Sequence, residues 1–153
     1  MTERSVTHAS FSIDRNYPVA PERVYHAFAD PAAKAKWFAG PDDDAPLEVA
    51  MDFREGGREI NAGRIHGGPV HKFECLYQDI VPNERIVYTY TMHLDDIRIS
   101  VSVATIEISP DGTGTKLTIT EQGAFLDGYD TSDSRETGTR ALLDALGASL
   151  LDD

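Results

Sequence analysis

Residues 71–121 read HKFECLYQDIVPNERIVYTYTMHLDDIRISVSVATIEISPDGTGTKLTITE. The pattern predicts strands over residues 71–81, 85–94 and 97–109, and a returning strand over 115–121. Pro, Asn, Asp and Gly break the pattern, and these residues favour tight turns through a preset φ, local hydrogen bonds or positive φ. The breaks fall at Pro82-Asn83-Glu84, Asp95-Asp96 and Pro110-Asp111-Gly112. Strands of about ten residues exceed the usual five or six, which favours a curved antiparallel sheet around a helix or cavity.

Upstream of this stretch, residues 11–17 alternate with period two and predict a first strand. Ala20-Pro21-Glu22 then predicts a helix that has proline at its first position. Asp30-Pro31 predicts a second short helix that ends at Trp37-Phe38, before Gly40-Pro41. Residues 47–54 and 57–65 follow as strands, which makes six strands after the helix pair.

The C-terminal part predicts one long helix. Residues 122–131 are glycine-rich and aperiodic, so we expect a partly packed loop there. Asp133-x-x-Glu136, preceded by Thr131 and Ser132, is a capping signal for the helix. Its apolar stripe consists of Thr139, Leu142, Leu143, Leu146 and Leu150. Gly138 and Gly147 each cost about 1 kcal/mol against alanine, so they indicate close backbone approach or curvature.

Length and charge limit the classes of function. The 153 residues fit one domain, 1–153, and a formal charge of −12 excludes nucleic acid and anionic membranes as partners. No secretory signal and no long apolar stretch occur, so we expect a cytoplasmic protein. The acidic runs Asp42-Asp43-Asp44, Asp95-Asp96 and Asp152-Asp153 are more typical of solvated loops than of a metal site. The single cysteine, Cys75, is interpreted as a small buried hydrophobe.

The predicted order of elements resembles the helix-grip fold of the START and Bet v 1-like superfamily. Five segments resemble the family of proteins similar to the activator of Hsp90 ATPase, C-terminal domain: APERVYHAF (20–28), KWF (36–38), DFREGGR (52–58), IVPNERIVY (80–88) and GTGTKLT (112–118). Arg135-Glu136 with Gly138 and Leu142-Leu143 adds a sixth. The resemblance implies an α+β fold in which a curved antiparallel sheet of about seven strands grips a long C-terminal helix. It also implies a mostly apolar pocket between them.

The chain departs from this family at one position. The family commonly carries Gly-Trp near the start of the last helix, where this chain has Gly138-Thr139. Loss of an indole there is expected to enlarge or reshape the cavity under the helix.

No catalytic motif is found: Gly-x-Ser-x-Gly, His-Glu-x-x-His, Walker and dinucleotide-binding patterns are missing from the sequence. We therefore predict no catalytic residue, no metal and no cofactor. Arg64, His66 and His71 flank a tight turn, but a third metal ligand is not visible nearby. Arg15 is expected to pair with a carboxylate such as Glu121 or with an acidic ligand. Glu74, Glu107 and Glu121 would act as general bases only if buried.

Alternation along the long strands predicts the ligand site. Three rows are expected to face inward together: Phe73, Cys75 and Tyr77; Tyr88, Tyr90 and Met92; and Ile97, Ile99, Val101 and Val103. Plain core packing is the alternative, although adjacent tyrosines suit a dry core only if each hydroxyl has a partner. The predicted ligand-binding set is Trp37, Phe38, Phe53, Phe73, Tyr88, Tyr90, Met92, Ile99, Val101, Phe125, Thr139, Leu142, Leu143 and Leu146.

The sequence thus predicts the binding of a small hydrophobic or amphipathic molecule, with no catalysis assigned. A cyclase- or dehydratase-like enzyme that uses the same cavity is one alternative, in which Tyr88, Tyr90 or a histidine orients a carbonyl. A regulator of an Hsp90-type chaperone ATPase is another, disfavoured because the eukaryotic co-chaperones carry an additional N-terminal domain. Homodimer formation through an exposed edge strand stays open.

Overall fold

The computed structural model describes residues 3–39 and 43–151. The elements in chain order are β1 Val6–Tyr17, α1 Pro21–Ala29, α2 Pro31–Ala35, β2 Glu48–Met51, β3 Arg58–Gly63, β4 His71–Val81, β5 Arg85–Leu94, β6 Ile97–Asp111, β7 Gly114–Leu126 and α3 Ser132–Leu150. The predictions for Gly40-Pro41, Asp42 and Asp152-Asp153 lie outside the described residues.

The seven strands form one antiparallel sheet in the order β1-β7-β6-β5-β4-β3-β2. The curved sheet packs around α3, and α1 and α2 lie between the first two strands in sequence, so the predicted α+β helix-grip fold is confirmed. The predicted turns are confirmed as well, because Asn83, Asp95 and Gly112 have φ of 66°, 54° and 60°. These are the left-handed conformations that Asn, Asp and Gly adopt most readily.

The predicted loop over 122–131 is wrong in its first half. β7 continues to Leu126, and its last residues pair with β1 on one side and β6 on the other. Gly123 suggested a loop, but it lies within β7, where the absence of a side chain allows a neighbouring strand to pack closely. A Cβ at Gly123 would lie 2.9 Å from the Ser102 hydroxyl oxygen on β6. Glycine within a strand here marks the close approach of a neighbouring side chain.

A β-bulge changes the predicted inner face of β6. Met92 pairs with Ser100 and His93 pairs with Arg98, which leaves Ile99 as the extra residue. Because a bulge inverts the alternation beyond it, Ser100, Ser102 and Ala104 face the interior. The predicted row of Ile97, Ile99, Val101 and Val103 is therefore wrong except at Ile99, since Ile97 and Val101 are both 43% exposed and Val103 is only partly buried.

The two halves of α3 have different surroundings. Its C-terminal half packs into the core, where Leu146 and Leu150 are buried and the Tyr17 hydroxyl donates to the Leu143 carbonyl oxygen at 2.8 Å. A Cβ at Gly147 would lie 3.1 Å from the Tyr17 ring, as close approach predicts. Beyond the helix's own backbone, no atom lies within 4 Å of a Cβ at Gly138, so close approach does not account for that glycine.

Hydrogen bonds from single side chains fix the starts of two helices. Thr131 caps α3, because its hydroxyl accepts from the Ser134 amide at 3.1 Å. The Asp30 carboxylate accepts from the Ala33 amide at 2.9 Å and caps α2, as predicted. The turn after α2 brings Trp37 against Phe28 and Phe38 in edge-to-face contacts. The start of α3 and the aromatic pair both border one space.

Cys75 is buried, as expected, and burial raises the pKa of its thiol to about 11. A thiol with such a pKa stays protonated at neutral pH and is a poor nucleophile. Within the described part of the chain, no helix has the length and hydropathy needed to span a membrane.

Candidate ligand-binding cavity

A cavity of about 530 Å³ lies between the sheet and the N-terminal half of α3. Its wall also includes residues that follow α2 and residues from β3 to β5. Sites for small organic ligands typically have volumes on the order of 300–1,000 Å³ and mostly apolar walls. The cavity is therefore large enough for a small organic molecule.

Ten of the fourteen predicted ligand-binding residues line this cavity. They are Trp37, Phe38, Phe73, Tyr88, Tyr90, Met92, Ile99, Thr139, Leu142 and Leu143. Gly138 lies beside Thr139 on the wall, so the pair that is expected to reshape the cavity borders it. The aromatic rings come from the sheet and the segment after α2, whereas α3 contributes the aliphatic side.

The other four predicted residues lie elsewhere. Phe53 packs edge-on against Tyr25 and Tyr77, with ring centroids 5.8 and 4.9 Å away. Phe125 is buried next to the Arg135 guanidinium, whose central carbon is 5.3 Å from the ring centroid. Leu146 is fully buried in the core, and Val101 faces outward because of the bulge in β6.

One buried polar cluster, here called the Glu59 cluster, consists of Lys34, Glu59 and Tyr77. The Lys34 ammonium lies 2.6 Å from Glu59 Oε1, and the Tyr77 hydroxyl donates to the same oxygen at 2.5 Å. Lys34 also lies over the Phe38 ring, with its Nζ 4.2 Å from the centroid. Lys34 and Glu59 are only 5% and 3% exposed, so the pair joins α2 to β3 away from solvent.

A second polar cluster, here called the Glu121 cluster, consists of Tyr90, Glu121 and Arg135 with its partners Ser100 and Asp130. The Tyr90 hydroxyl donates a short hydrogen bond to Glu121 Oε1 and accepts one from Arg135 Nη1 at 3.0 Å. Arg135 Nη2 donates to Ser100 Oγ at 2.8 Å and to Asp130 Oδ2 at 2.9 Å. The guanidinium therefore reaches Glu121 through the phenol of Tyr90.

Burial determines the protonation of the groups on this wall. It raises the pKa of Glu121, while the hydrogen bond from Tyr90 and the charge of Arg135 act in the opposite direction. Burial also raises the pKa of Tyr88 and Tyr90, and the negative charge of Glu121 adds to both effects. Both phenols therefore remain protonated and can donate hydrogen bonds.

Tyr88 differs from the tyrosines beside it. Its side chain lines the cavity, it is 8% exposed, and its ring contacts Phe73, Tyr77 and Tyr90. Tyr77 and Tyr90 each donate to a buried carboxylate. Across residues 3–39 and 43–151, no side chain or backbone group forms a hydrogen bond with the Tyr88 hydroxyl. The wall therefore presents one phenol with a free hydrogen-bonding capacity.

The remaining polar predictions have mixed outcomes. Arg15 pairs with Asp144 at 3.4 Å instead of Glu121, because Glu121 points into the cavity. Arg64 and His71 line the cavity, and no group of His, Cys, Asp or Glu among the described residues is arranged to hold a metal ion. Glu107 is exposed, and Glu74 pairs with Lys72 at 3.1 Å.

Sequence reasoning missed several residues of the site, among them the two cations Lys34 and Arg135. Lys34 is preceded and followed by alanines in a very short helix, and no pattern marks it as buried. Arg135 was noted only for its resemblance to a family segment. Glu121 had a usable signal, because it continues the inward row of Leu117 and Ile119 on β7.

A curved sheet that grips a C-terminal helix above a partly polar cavity defines the helix-grip class of proteins. Within that class, the chain belongs to the family described as activator of Hsp90 ATPase homolog 1-like proteins, whose model matches residues 18–150. This confirms the resemblance inferred from the sequence segments. The fold of this family is associated with ligand binding.

Solved structures from several bacteria resemble the chain over nearly its whole length. The Mll3558 protein of Rhizobium loti is 48% identical, with a TM-score of 0.88 over 95% of this chain and 99% of that one. An uncharacterised protein of Rhizobium leguminosarum is 40% identical, with a TM-score of 0.94 over 99% and 100%. The CV1439 protein of Chromobacterium violaceum is 30% identical, with a TM-score of 0.78 over 92% and 96%. No curated protein matches the chain.

Proposed function

We propose that the protein binds a small hydrophobic or amphipathic molecule in the cavity between the sheet and α3. The observation that carries the proposal is the cavity itself, about 530 Å³ in volume and lined by aromatic and aliphatic side chains. When an apolar ligand covers the apolar wall of the cavity, the free energy of binding gains roughly 25 cal/mol per Å² of surface removed from water. The few polar groups on the wall would orient the ligand.

The family resemblance of the sequence supports this proposal through one position. Thr139 lies on the cavity wall. The resemblance implies an indole at this position, and a threonine side chain fills much less volume. The space that the indole would occupy is therefore available to a ligand. Because Thr139 comes from α3 and faces the aromatic residues of the sheet, a large side chain there would project into the cavity.

The test is retention of compounds from a lipid and polyketide library, detected by native mass spectrometry. We expect the wild-type protein to retain compounds and Thr139→Trp to retain at least about tenfold less, because the indole fills the cavity. The matched control is Leu151→Trp, at a residue that is 68% exposed beyond the end of α3. Equal retention by wild type and Thr139→Trp, or no retention by wild type, would contradict the proposal.

A cyclase- or dehydratase-like enzyme is the second candidate, favoured by Glu121. A buried carboxylate with a raised pKa beside protonated phenols is a typical general-base arrangement. In such a reaction the carboxylate removes a proton from the carbon next to a carbonyl. The electron pair of the C–H bond forms the enolate, and a phenol O–H stabilises the enolate oxygen.

Exchange of the methyl protons of acetophenone in D₂O, followed by NMR, distinguishes this candidate from simple binding. An enzyme would exceed the buffer rate, and Glu121→Gln would return the rate to that of buffer. Binding without acceleration in wild type would reject the enzyme and leave the binding proposal intact.

A further inference from the structure

Tyr88 and Glu121 lie in one row across three neighbouring strands. Tyr88 on β5 is opposite Ala104 on β6, and Ala104 is opposite Glu121 on β7. Directly paired residues of antiparallel strands point to the same face, and neighbouring strands are roughly 4.8 Å apart. The phenol and the carboxyl group therefore flank the short side chain of Ala104, which is fully buried, and both line the cavity.

The hydrogen-bonding capacities of these two groups are complementary to a hydroxyl group. The Tyr88 hydroxyl has no partner across the described residues, although the residue is more than nine-tenths buried. Glu121 is an acceptor, and the hydrogen bond from Tyr90 holds its Oε1 in place. A single hydroxyl can donate one hydrogen bond and accept another, so it would use both groups at once.

The charges on the wall disfavour a ligand anion. Four carboxylates line the cavity, those of Asp43, Asp44, Glu121 and Asp130. The three Lys and Arg side chains on the described wall already donate to acceptors: Lys34 to Glu59, Arg135 to Asp130 and Arg64 to the Gly68 carbonyl oxygen. A carboxylate ligand beside Glu121 would meet a like charge in a poorly solvated site.

We propose that the Tyr88–Glu121 row is a subsite for an uncharged hydroxyl group on a flat apolar ligand, with the hydroxyl donating to Glu121 and accepting from Tyr88. This inference rests on the proposed function and specifies the chemical class of the ligand. Phe73 and Tyr90, whose ring centroids are 5.0 Å apart, both line the cavity and would contact the ring system of the ligand. The subsite thus selects alcohols and phenols over hydrocarbons and acids.

Three probes with one ring system test the subsite: naphthalene, 2-naphthol and 2-naphthoate. Their dissociation constants would be measured by equilibrium dialysis at pH 7. We expect 2-naphthol to bind about three- to tenfold more tightly than naphthalene, as one or two net hydrogen bonds allow. We expect 2-naphthoate to bind more weakly than 2-naphthol.

Two variants assign the preference to the named groups. Tyr88→Phe should reduce the preference for 2-naphthol, because one of its two hydrogen bonds is lost, while naphthalene binding stays within about twofold. Tyr25→Phe is the matched control, because Tyr25 lies on α1, packs against Phe53 and is outside the cavity wall. Glu121→Gln should also reduce the preference, and thermal unfolding of each variant verifies that it is folded.

The outcomes separate the subsite from the cavity. Equal binding of naphthalene and 2-naphthol overturns the subsite and leaves the binding function standing. Tightest binding of 2-naphthoate also overturns it, in favour of an anion site at Arg64 or Arg135. Failure of all three probes to bind counts against the proposed function itself.

Discussion

The Glu59 cluster and the Glu121 cluster contain the same three kinds of group in different order. In the Glu59 cluster, the cation and the phenol both donate to one carboxylate oxygen. In the Glu121 cluster, the cation donates to the phenol, and the phenol donates to the carboxylate. Direct contact with a cation satisfies Glu59. Glu121 is separated by Ala104 from Tyr88, whose hydroxyl has no partner among the described residues.

This difference separates a structural role from a ligand-facing one. A buried ion pair is costly to break because the remaining charge has no partner and no solvent. The Glu59 cluster joins α2 to β3 and β4, so its loss should affect folding. The Glu121 cluster and Tyr88 line the cavity, so their changes should affect binding more than folding.

The largest expected effect comes from Lys34→Ala. Removal of the cation leaves Glu59 buried and unpaired, and the free energy of unfolding should fall by about 3–5 kcal/mol in urea denaturation. The double variant Lys34→Met/Glu59→Leu is the control, because it removes both charges and keeps most of the volume. It should recover most of the loss. A single variant within about 1 kcal/mol of wild type would show that the pair is not structural.

Tyr77→Phe should produce the next largest loss. The phenol donates to a charged acceptor inside the protein, and such hydrogen bonds contribute about 1.5–3 kcal/mol. Urea denaturation of Tyr77→Phe should show a loss in that range. If this variant were as stable as wild type, the hydrogen bond from Tyr77 to Glu59 would make no net contribution to stability.

Glu121→Gln should reveal a pH-dependent difference in stability. Burial raises the folded-state pKa of Glu121 above its unfolded value, so its contribution to stability is fully present below the unfolded pKa. That contribution is lost as pH rises through the folded pKa. The unfolding free energy of wild type minus that of Glu121→Gln should therefore decrease from pH 3 to pH 7. Titration of the groups that both proteins share cancels in this difference. An increase of the difference with pH would contradict a raised pKa for Glu121.

The smallest effect on stability is expected for Tyr88→Phe. Its hydroxyl has no partner among the described residues, so its removal leaves no unsatisfied group behind. The free energy of unfolding should stay within about 0.5 kcal/mol of wild type or rise slightly. A loss comparable to that of Tyr77→Phe would place Tyr88 among the structural tyrosines.

The local chemistry of the chain was enough to predict most of the fold. β4 and β5 begin and end at the predicted residues, because Asn83 and Asp95 make unambiguous turns. The prediction failed where packing overrides local pattern. Gly123 belongs to a strand because Ser102 fills the space beside it, and Val101 faces outward because the bulge at Ile99 shifts the alternation.

What the sequence determined by itself is the order of elements and the rows of inward-facing aromatics on β4 and β5, since alternation and turn residues act over a few positions. Only the tertiary structure decided which carboxylate is ligand-facing. Lys34 and Glu59 are 25 positions apart, and Tyr90 and Arg135 are 45 apart. Contacts at such separations depend on how the sheet curves around α3, and no local pattern in the chain encodes them.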